Sequence, residues 1–423
     1  MDAACASSRR RNYYLVSHRR DQFIEFVKGL LQHSFVLDAL EATAESSWAY
    51  VEELIEEHRL EPRGSRLATA VPTVGTFFTR LPLAEAWLLY DAKNHISKRR
   101  FVSPSFNEIR EILNMSQILA FRAPGAAGEF AADGAENVKT STLDFVSFDG
   151  DCTLYSDGKN FQDAELGFQI VRLLRSGVVV ALVTAAGYGY DATRYERRLE
   201  GLLAALASEP AEVVQRFFVV GGECNYLLQL ERRGNGVALA SREEVWDAAI
   251  SQLHTFSESA VEQLLDVAEA SLRESVADFA LAGARVIRKP RAVGLVPDGN
   301  DGAGRETLDE CVLRVQDALR GARPGIPFCA FNGGSDVWVD IGNKKVGVVG
   351  VQAICGLDQH ACLHIGDQFL NTGNDFAARG SCACLWITQP KETKLVLDQL
   401  LAVVDPQGTS NSDAKPPVRT FWD

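Results

Sequence analysis

Residues 143–155 read LDFVSFDGDCTLY, and they decide how the rest of the chain is interpreted. The apolar run at 143–148 predicts a short buried strand that ends at Asp149. Asp149 and Asp151 can share one site if the chain turns after this strand. The first carboxylate can then attack a phosphorus atom, while the second donates a proton to the leaving oxygen and afterwards activates water. An isolated pair of this kind is usually a solvated turn, but the preceding strand and the apolar Leu154-Tyr155 favour a site.

Four predicted strands each lead to a polar residue. The strands and the residues that follow them are 143–148 with Asp149, 178–183 with Thr184, 363–365 with Asp367, and 383–387 with Thr388. Residues 161–174 have the period of a helix and lie between the first two strands, and such a strand-helix-strand unit connects parallel strands. We therefore predict an α/β fold with a Rossmann-like parallel sheet core. The polar residues would meet at its carboxyl edge, where ligands bind.

Two further residues suit the transfer of a phosphoryl group. Thr184 can hold a phosphoryl oxygen through its hydroxyl group, although a lone threonine at a strand end is more often a helix cap. Lys344 or Lys345 can neutralise charge on the attacked carboxylate, although a lone lysine in a turn is more often exposed. We choose Lys344, because it follows Asp340 by four residues and falls on the same turn of a beginning helix.

Oxygen ligands for a metal ion are also present. Asp367 and Asp375 follow the third predicted strand, and with Asp149 they would form a Mg²⁺ site. Mg²⁺ favours a few carboxylates, water molecules and substrate phosphate over a complete protein cage. The ion would draw Asp149 and the phosphate together and offset their repulsion. The predicted cofactor is therefore Mg²⁺.

Composition changes divide the chain into three predicted units. They are a helical N-terminal region at 1–135, a catalytic core at 136–187 and 336–423, and a mixed α/β cap at 188–335. Within the first unit, residues 106–119 are predicted as a helix that begins after Ser103-Pro104. Residues 123–140 contain mainly Ala, Gly and acidic residues, and they are predicted as the linker to the core.

The spacing of the polar residues resembles that of the haloacid dehalogenase-like phosphohydrolases. Their four motifs correspond here to Asp149-x-Asp151, Thr184, Lys344, and Asp367 with Asp375. Only 35 positions separate Asp149 from Thr184, whereas 160 positions separate Thr184 from Lys344. The cap therefore resembles the type that is inserted after the second motif.

Over its whole length the chain is similar to the IMP-specific 5′-nucleotidase family. The segments that carry this similarity are FDGDCTLY at 148–155, YERRL at 195–199, GGECNY at 221–226, NGGSDVWVD at 332–340 and GDQF at 366–369. The resemblance implies hydrolysis of IMP to inosine and phosphate, with Asp149 as nucleophile and Asp151 as acid and base. It implies Mg²⁺ on Asp149, Asp367 and the main-chain carbonyl group of Asp151, with Asp375 in support. It also implies a homo-oligomer, expected as a tetramer, that ATP activates through the N-terminal region.

A larger set of residues is predicted to contact the substrate. Asp157 would accept hydrogen bonds from the ribose, and Arg197 in the cap would bind phosphate or base. Glu223 and Asn225 would contact the base or tether the cap, and Trp338 would stack on the purine. The ordinary alternatives are a solvated Arg197 on a charged helix face and a packing role for Trp338. The full set is Asp149, Asp151, Thr153, Asp157, Thr184, Arg197, Glu223, Asn225, Trp338, Asp340 and Lys344.

A basic cluster near the N-terminus is the predicted effector site. His95, Lys98 and Arg100 lie close together in the sequence, beside Phe101. A run of charges is more often a solvated face. The functional alternative, which rests on the family resemblance, is that the cluster binds the phosphates of ATP and shifts the enzyme between two states.

The overall charge excludes one broad class of function. The 43 Lys and Arg residues against 56 Asp and Glu residues give a formal net charge of −13, which repels the phosphate backbone, so no general nucleic-acid binding is expected. The nine cysteines lack the spacing of a zinc site and suit small buried side chains in a reducing compartment. No segment predicts a secretory signal or membrane span, so the expected location is the cytoplasm.

Two other functions compete with the nucleotidase. A sugar-phosphate phosphatase or phosphomutase would share the Asp-x-Asp-x-Thr start and the cap position, and the fold alone does not separate these activities. A nucleotide-sensing binding protein with a degenerate site is the alternative from another class. The presence of Asp149, Asp151, Thr184, Lys344 and Asp367 together argues against it, because such proteins usually lose a nucleophile or a metal ligand.

Overall fold

The strands and helices form a main α/β layer structure, a smaller sheet with two long helices, and a group of N-terminal helices. The computed structural model describes residues 21–36, 40–99, 101–122, 143–254, 256–298 and 303–404. The strands are β1 (Phe145–Phe148), β2 (Val179–Val183), β3 (Phe217–Gly221), β4 (Tyr226–Arg233), β5 (Gly236–Ser241), β6 (Arg285–Lys289), β7 (Ala292–Val296), β8 (Phe328–Asn332), β9 (Val337–Ile341), β10 (Cys362–Gly366) and β11 (Ala383–Trp386). The helices are α1 (Gln22–Val36), α2 (Leu40–Leu60), α3 (Arg66–Ala70), α4 (Leu83–Asn94), α5 (Phe106–Leu119), α6 (Ala164–Arg175), α7 (Ala192–Arg198), α8 (Glu200–Leu206), α9 (Ala211–Val214), α10 (Glu243–Leu253), α11 (Glu258–Asp278), α12 (Arg305–Ala322), α13 (Lys344–Cys355) and α14 (Pro390–Val404).

The main sheet has seven strands in the order β11-β10-β1-β2-β3-β4-β5. The five strands from β11 to β3 are parallel, and β4 and β5 extend the sheet by antiparallel pairing. Phe148 at the end of β1 lies beside Ile365 of β10 and Leu182 of β2, so these three strands end at nearly the same level. The predicted α/β fold with a parallel sheet core is confirmed.

Helices cover both faces of the main sheet. Because side chains alternate along a strand, Val146 and Phe148 of β1 face one hydrophobic cluster and Phe145 faces the other. In the first cluster α6 packs against α8 and α14. In the second, α10 packs against α13, with Trp246 fully buried between the elements. The strand ends are thus held by a core that is buried from both sides.

A second sheet has the order β6-β7-β9-β8 and is antiparallel throughout. The helices α11 and α12 pack on one face of it, and their apolar side chains form a separate hydrophobic cluster with those of β7 and β9. The chain enters this unit at α11 and leaves it after Ile341, immediately before α13. This sheet is the observed counterpart of the predicted cap.

The strand pairing corrects the predicted boundaries of the cap at both ends. Residues 188–335 were expected to form the cap, but β3, β4 and β5 belong to the main sheet. Residues 336–423 were expected to belong to the core, but β9 lies between β7 and β8 in the second sheet. Which sheet a strand joins depends on pairing partners that are distant in the sequence. The amino-acid composition does not change at either of the two observed boundaries of the cap.

The N-terminal helices α1 to α5 share one hydrophobic cluster, in which the rings of Trp48 and Trp87 stack at 6.0 Å. The predicted helix at 106–119 is confirmed, but its cap is Ser105 and not Ser103-Pro104. The Ser105 side chain accepts a hydrogen bond from the N–H group of Glu108, whose carboxylate accepts one from the N–H group of Ser105. The linker predicted at 123–140 lies outside the described residues.

Two expectations from composition concern the described residues as a whole. All eight cysteines described by the structure are free, and six of them are buried, as expected for small packing side chains. No helix among the described ranges combines the length and the apolar character that crossing a bilayer requires.

Candidate active site

The carboxyl edge of the main sheet faces the second sheet across a cleft of about 680 Å³. Asp149 follows β1, Thr184 follows β2 and Asp367 follows β10, so the parallel sheet brings all three to one edge, as predicted. Asp149 and Thr184 line the cleft from this side. Trp338 and Asp340 of β9 line it from the other. The cleft is therefore built by both sheets.

Lys344 lies at the centre of the site. Its ammonium nitrogen is 2.6 Å from Oδ1 of Asp149 and 2.6 Å from Oδ1 of Asp375. Lys344 is in the first turn of α13, where the Asn343 side chain caps the helix, and it is fully buried. Lys345 is exposed. The structure thus favours Lys344 over Lys345 as the lysine that contacts the carboxylates.

The charges of this group shift one another's pKa values. Burial raises the pKa of Asp149 to about 6, and the nearby Asp375 adds to this, although Lys344 opposes it. Burial would lower the pKa of Lys344, but Asp149 and Asp375 outweigh burial and hold it above its usual value. Lys344 is therefore a permanent positive charge beside Asp149.

Asp375 is held from four directions. Its Oδ1 accepts hydrogen bonds from Lys344 and, at 2.9 Å, from Nε2 of His364. Its Oδ2 accepts from the N–H groups of Asp367 at 3.0 Å and Gln368 at 2.8 Å. Burial alone would raise the pKa of Asp375, but Lys344 and His364 outweigh it, so the pKa lies below its usual value. Asp375 is therefore ionised and fixes both Lys344 and the loop of Asp367.

The acidic cluster fits a divalent cation that prefers oxygen ligands. Carboxylate oxygens of Asp149, Asp367 and Asp375 all lie within 4.8 Å of one another, and the three side chains are buried. Both oxygens of Asp375 already accept hydrogen bonds, which leaves Asp149 and Asp367 as the two carboxylates suited to direct coordination. Two carboxylates beside an open cleft match the preference of Mg²⁺ for few protein ligands.

A tight turn places Asp151 beside Asp149. Cys152 adopts a left-handed backbone with φ of 61°, and its N–H group donates to the carbonyl of Tyr155 at 2.7 Å. A Cβ atom on Gly150 would lie 2.3 Å from the hydroxyl of Tyr155, so only glycine fits there. Oδ1 of Asp151 accepts from the N–H group of Gly158 at 2.9 Å. The two carboxylates of the pair thus share the cleft, as predicted.

Arg198 is a site residue that the sequence did not indicate. One of its terminal nitrogens lies 3.0 Å and 3.3 Å from the two carboxylate oxygens of Asp151, and its guanidinium group lies over the Tyr155 ring. Arg194 and Arg198 are four residues apart on one face of α7, and both line the cleft. The predicted Arg197 lies on another face of α7, is exposed and does not line the cleft. It also belongs to the main layer structure and not to the cap.

The predicted substrate residues fall into two groups. Asp157, Asn225, Trp338 and Asp340 line the cleft with Asp149, Asp151 and Thr184. Thr153, Glu223 and Lys344 do not line it and are fully buried, and Arg197 is exposed outside it. The carbonyl oxygen of Thr153 accepts a hydrogen bond from Thr393 at 2.7 Å, so Thr153 supports the turn from behind. The short motif showed which residues are close in sequence but not which side of the turn each faces.

Two residues of the segment at 221–226 connect parts of the site. Nδ2 of Asn225 donates to the carbonyl of Ile341 at 2.8 Å, which joins the main sheet to the end of β9. Oε1 of Glu223 accepts from Asn374 at 3.1 Å, next to Asp375. Asn225 and Glu223 were expected to contact the base or to tether the cap. Asn225 does connect the main sheet to β9, whereas Glu223 holds the loop that carries Asp375.

The cap side of the cleft presents an aromatic ring and a buried acid. Lys289 lies 3.9 Å from the centre of the Trp338 ring, and Gly294 on the adjacent strand leaves room for that ring. Burial raises the pKa of Asp340 to about 7, although Lys289 opposes this. Phe331 also lines the cleft, and no sequence pattern indicated it. This side therefore offers the Trp338 ring, with the ammonium group of Lys289 over it, and the Phe331 side chain.

The predicted effector cluster is only partly described. His95 and Lys98 are exposed at the end of α4 and just after it, and His95 has a left-handed backbone with φ of 53°. Arg100 lies outside the described residues. The neighbouring Arg99 forms an ion pair with Glu108 at 2.6 Å.

Comparison with known proteins gives consistent matches over nearly the whole chain. The family model described as IMP-specific 5′-nucleotidase matches residues 5–397. The IMP-specific 5′-nucleotidase 1 of Eremothecium gossypii is 42% identical over 95% of this chain and 99% of its own length. The protein of the same name from Plasmodium falciparum is 34% identical over 90% of this chain and 83% of its own.

Solved structures agree with the sequence matches. A structure of N-terminally truncated, IMP-bound P. falciparum IMP-nucleotidase superposes with a TM-score of 0.80 at 33% identity, covering 92% of this chain and 98% of that one. A structure of the ATP-bound P. falciparum IMP-nucleotidase gives a TM-score of 0.76 at 32% identity, covering 95% of this chain and 87% of that one. The similarity therefore extends to the arrangement of the units.

Proposed function

We propose that this chain, which belongs to the IMP-specific 5′-nucleotidase family, hydrolyses IMP to inosine and phosphate through a phosphoryl group carried on Asp149. One observation carries the chemical part of this proposal: a buried lysine lies between Asp149 and Asp375 at the edge of a cleft lined by Asp151. The family membership and the IMP-bound relative support the choice of substrate. A sugar-phosphate phosphatase or phosphomutase would not need an aromatic ring opposite the carboxylates.

The first step transfers the phosphoryl group. A carboxylate oxygen of Asp149 attacks the phosphorus, and the bond between phosphorus and the 5′-oxygen breaks. Asp151 donates its proton to that oxygen, so inosine leaves as a neutral alcohol. In the second step Asp151 takes a proton from water, the water oxygen attacks the phosphorus, and the bond to Asp149 breaks. The products are phosphate and the original carboxylate.

Residues around the pair stabilise this transfer. Lys344 neutralises charge on Asp149 and on the transferred oxygens. The hydroxyl group and the following N–H groups at Thr184 bind a phosphoryl oxygen, while Asp157 contacts the ribose. Mg²⁺ would be held by Asp149, Asp367 and the main-chain carbonyl group of Asp151, and it would supply further positive charge that favours the ionised form of Asp149.

Three further proposals, on regulation, assembly and location, rest on the family resemblance. ATP is proposed to activate the enzyme through the N-terminal region, which holds His95, Lys98 and Arg100, and the ATP-bound relative supports this. The enzyme is further proposed to act in the cytoplasm as a homo-oligomer, with a tetramer as the expected size. These proposals do not affect the chemistry at Asp149.

A panel of phosphate esters tests the proposed function. The purified protein, assayed with Mg²⁺, should release phosphate from IMP faster than from AMP, GMP, glucose 6-phosphate or ribose 5-phosphate, and without a bisphosphate activator. EDTA should stop the reaction and excess Mg²⁺ should restore it. Parallel assays with ATP should show a higher rate. Faster release from a sugar phosphate, or activity that EDTA leaves unchanged, would contradict the proposal.

Trp338 provides a test of how the base is recognised. We expect Trp338→Ala to lower kcat/KM for IMP by roughly tenfold, because stacking contributes on the order of 1–3 kcal/mol per base. Hydrolysis of ribose 5-phosphate, which has no base, serves as the internal control and should change little. Equal losses for both substrates would remove Trp338 from the base-binding surface.

A further inference from the structure

Trp386, at the end of β11, connects the N-terminal helices to the loop of Asp367. Its indole N–H group donates a hydrogen bond to the carbonyl oxygen of Asp367 at 2.9 Å. The Trp386 side chain is buried, and the rings of Phe106 and Phe369 pack against it at 5.6 Å and 6.2 Å between centroids. Phe106 begins α5, and Phe369 follows Asp367 by two residues. The ring of Trp386 thus lies between the N-terminal helices and the loop of Asp367.

The main chain of Trp386 is bound by the N-terminal unit. The Asn114 side chain accepts from the Trp386 N–H group at 3.0 Å and donates to its carbonyl oxygen at 2.7 Å. Arg110 also donates to that carbonyl oxygen, and its guanidinium group pairs with Glu392 at 3.1 Å. Asn114 therefore binds the end of β11 as a neighbouring strand would, although it belongs to a helix.

Ring packing and a hydrogen bond both act on the orientation of the Trp386 ring. A cavity of about 320 Å³ lies along the same seam and is lined by Asn114, Phe369 and Trp386 among others. The buried indole N–H group of Trp386 needs a hydrogen-bond partner, and the carbonyl oxygen of Asp367 is that partner. The hydrogen bond therefore ties the position of this carbonyl group to the packed ring of Trp386.

We propose that Trp386 is a positioning residue for the metal-binding carboxylate of Asp367, and that Asn114 of the N-terminal unit holds Trp386 in place. The inference rests on the proposed function, in that it takes Asp367 as a ligand of Mg²⁺. Asp375 holds the N–H groups of Asp367 and Gln368 from one side, and Trp386 holds the carbonyl of Asp367 from the other. If the hydrogen bond from Trp386 were lost, the Asp367 carboxylate would occupy the position of a metal ligand only part of the time.

Metal binding tests this inference separately from turnover. For the full-length Trp386→Phe variant we expect the affinity for Mn²⁺, followed by EPR and competed with Mg²⁺, to fall at least tenfold, as is typical when an outer partner of a ligand is removed. The loss of IMP hydrolysis at low Mg²⁺ should be recovered at saturating Mg²⁺. Trp48→Phe is the control and should leave metal affinity unchanged, because the buried Trp48 ring stacks on Trp87 of α4.

Asn114→Leu provides a second route to the same test. It removes both hydrogen bonds to the main chain of Trp386 without touching the indole, and it should also weaken metal binding. The effects of the two changes should be less than additive in the double variant, since both act through one contact. If wild-type protein binds no Mn²⁺ or Mg²⁺, the proposed function fails. If wild type binds the metal and both variants bind it equally well, only the positioning role fails.

Discussion

Replacement of Asp149 by asparagine is expected to reduce IMP hydrolysis by roughly 10⁴-fold or more, because the amide is no nucleophile for phosphorus. The substitution keeps the shape of a side chain that is only 5% exposed. Lys344 also keeps its second partner, Asp375. The folded protein should therefore persist, and Asp149→Asn should still bind IMP.

Initial rates and calorimetric titration with IMP measure the two parts of this prediction. Asp266→Asn is a suitable control, because Asp266 is an exposed residue of α11 that pairs with Arg288 and does not line the cleft. The control should keep full activity. Wild-type rates in Asp149→Asn would exclude this residue as the nucleophile, whatever its position in the cleft.

Replacement of Lys344 by methionine is expected to damage both activity and stability. Hydrolysis should fall by roughly 10²–10³-fold, because positive charge aimed at the transferred group is lost. Stability should fall by about 3–5 kcal/mol, since Asp149 and Asp375 would remain buried without the charge that pairs them. Lys345→Met is the matched control: the same substitution one residue later, at an exposed position, should have little effect.

The loss of stability in Lys344→Met should also depend on pH. Without Lys344, burial and the nearby Asp375 hold the folded-state pKa of Asp149 still further above that in the unfolded chain. Protonation of Asp149 then favours the folded state, so the variant is least destabilised in acid and loses stability as pH rises through that raised pKa. Thermal melts of both variants in EDTA at several pH values would show this. A pH-independent difference would contradict the buried pairing.

The elements that the sequence predicted correctly are those set by local patterns. Asp149, Thr184 and Asp367 each follow an apolar run, and parallel strands bring their ends together without further information. Lys344 was chosen over Lys345 because it follows Asp340 by four residues in the sequence. It lies in the first turn of α13, and its side chain is buried. Asp375 was expected beside Asp367, and its carboxylate accepts hydrogen bonds from the N–H groups of Asp367 and Gln368.

The elements that the sequence did not predict depend on contacts between distant residues. The assignment of Arg197 missed Arg198, because which face of α7 meets the cleft is set by the contact of that helix with the main sheet. Thr153 follows the motif closely but points into the core behind it. Trp386 lies 19 residues after Asp367, and nothing in the spacing indicates that its indole reaches that carbonyl.

The pairing of Arg198 with Asp151 bears on the acid and base role of that carboxylate. One terminal nitrogen of Arg198 lies 3.0 Å from Oδ1 and 3.3 Å from Oδ2 of Asp151. Arg198 contacts both carboxylate oxygens of Asp151, and proton transfer to the leaving oxygen needs one of them. Substrate phosphate, a stronger acceptor for Arg198, offers a way to weaken that contact during binding.

The central claim is that Asp149 carries the phosphoryl group during the reaction. The most direct measurement is rapid acid quenching of enzyme mixed with IMP and Mg²⁺, followed by mass spectrometry of the peptide that contains residues 143–155. We predict one added phosphoryl group on Asp149 in the wild-type enzyme and none in Asp149→Asn. Inosine released in a stoichiometric burst without any modified Asp149, or the modification on another residue, would contradict the mechanism.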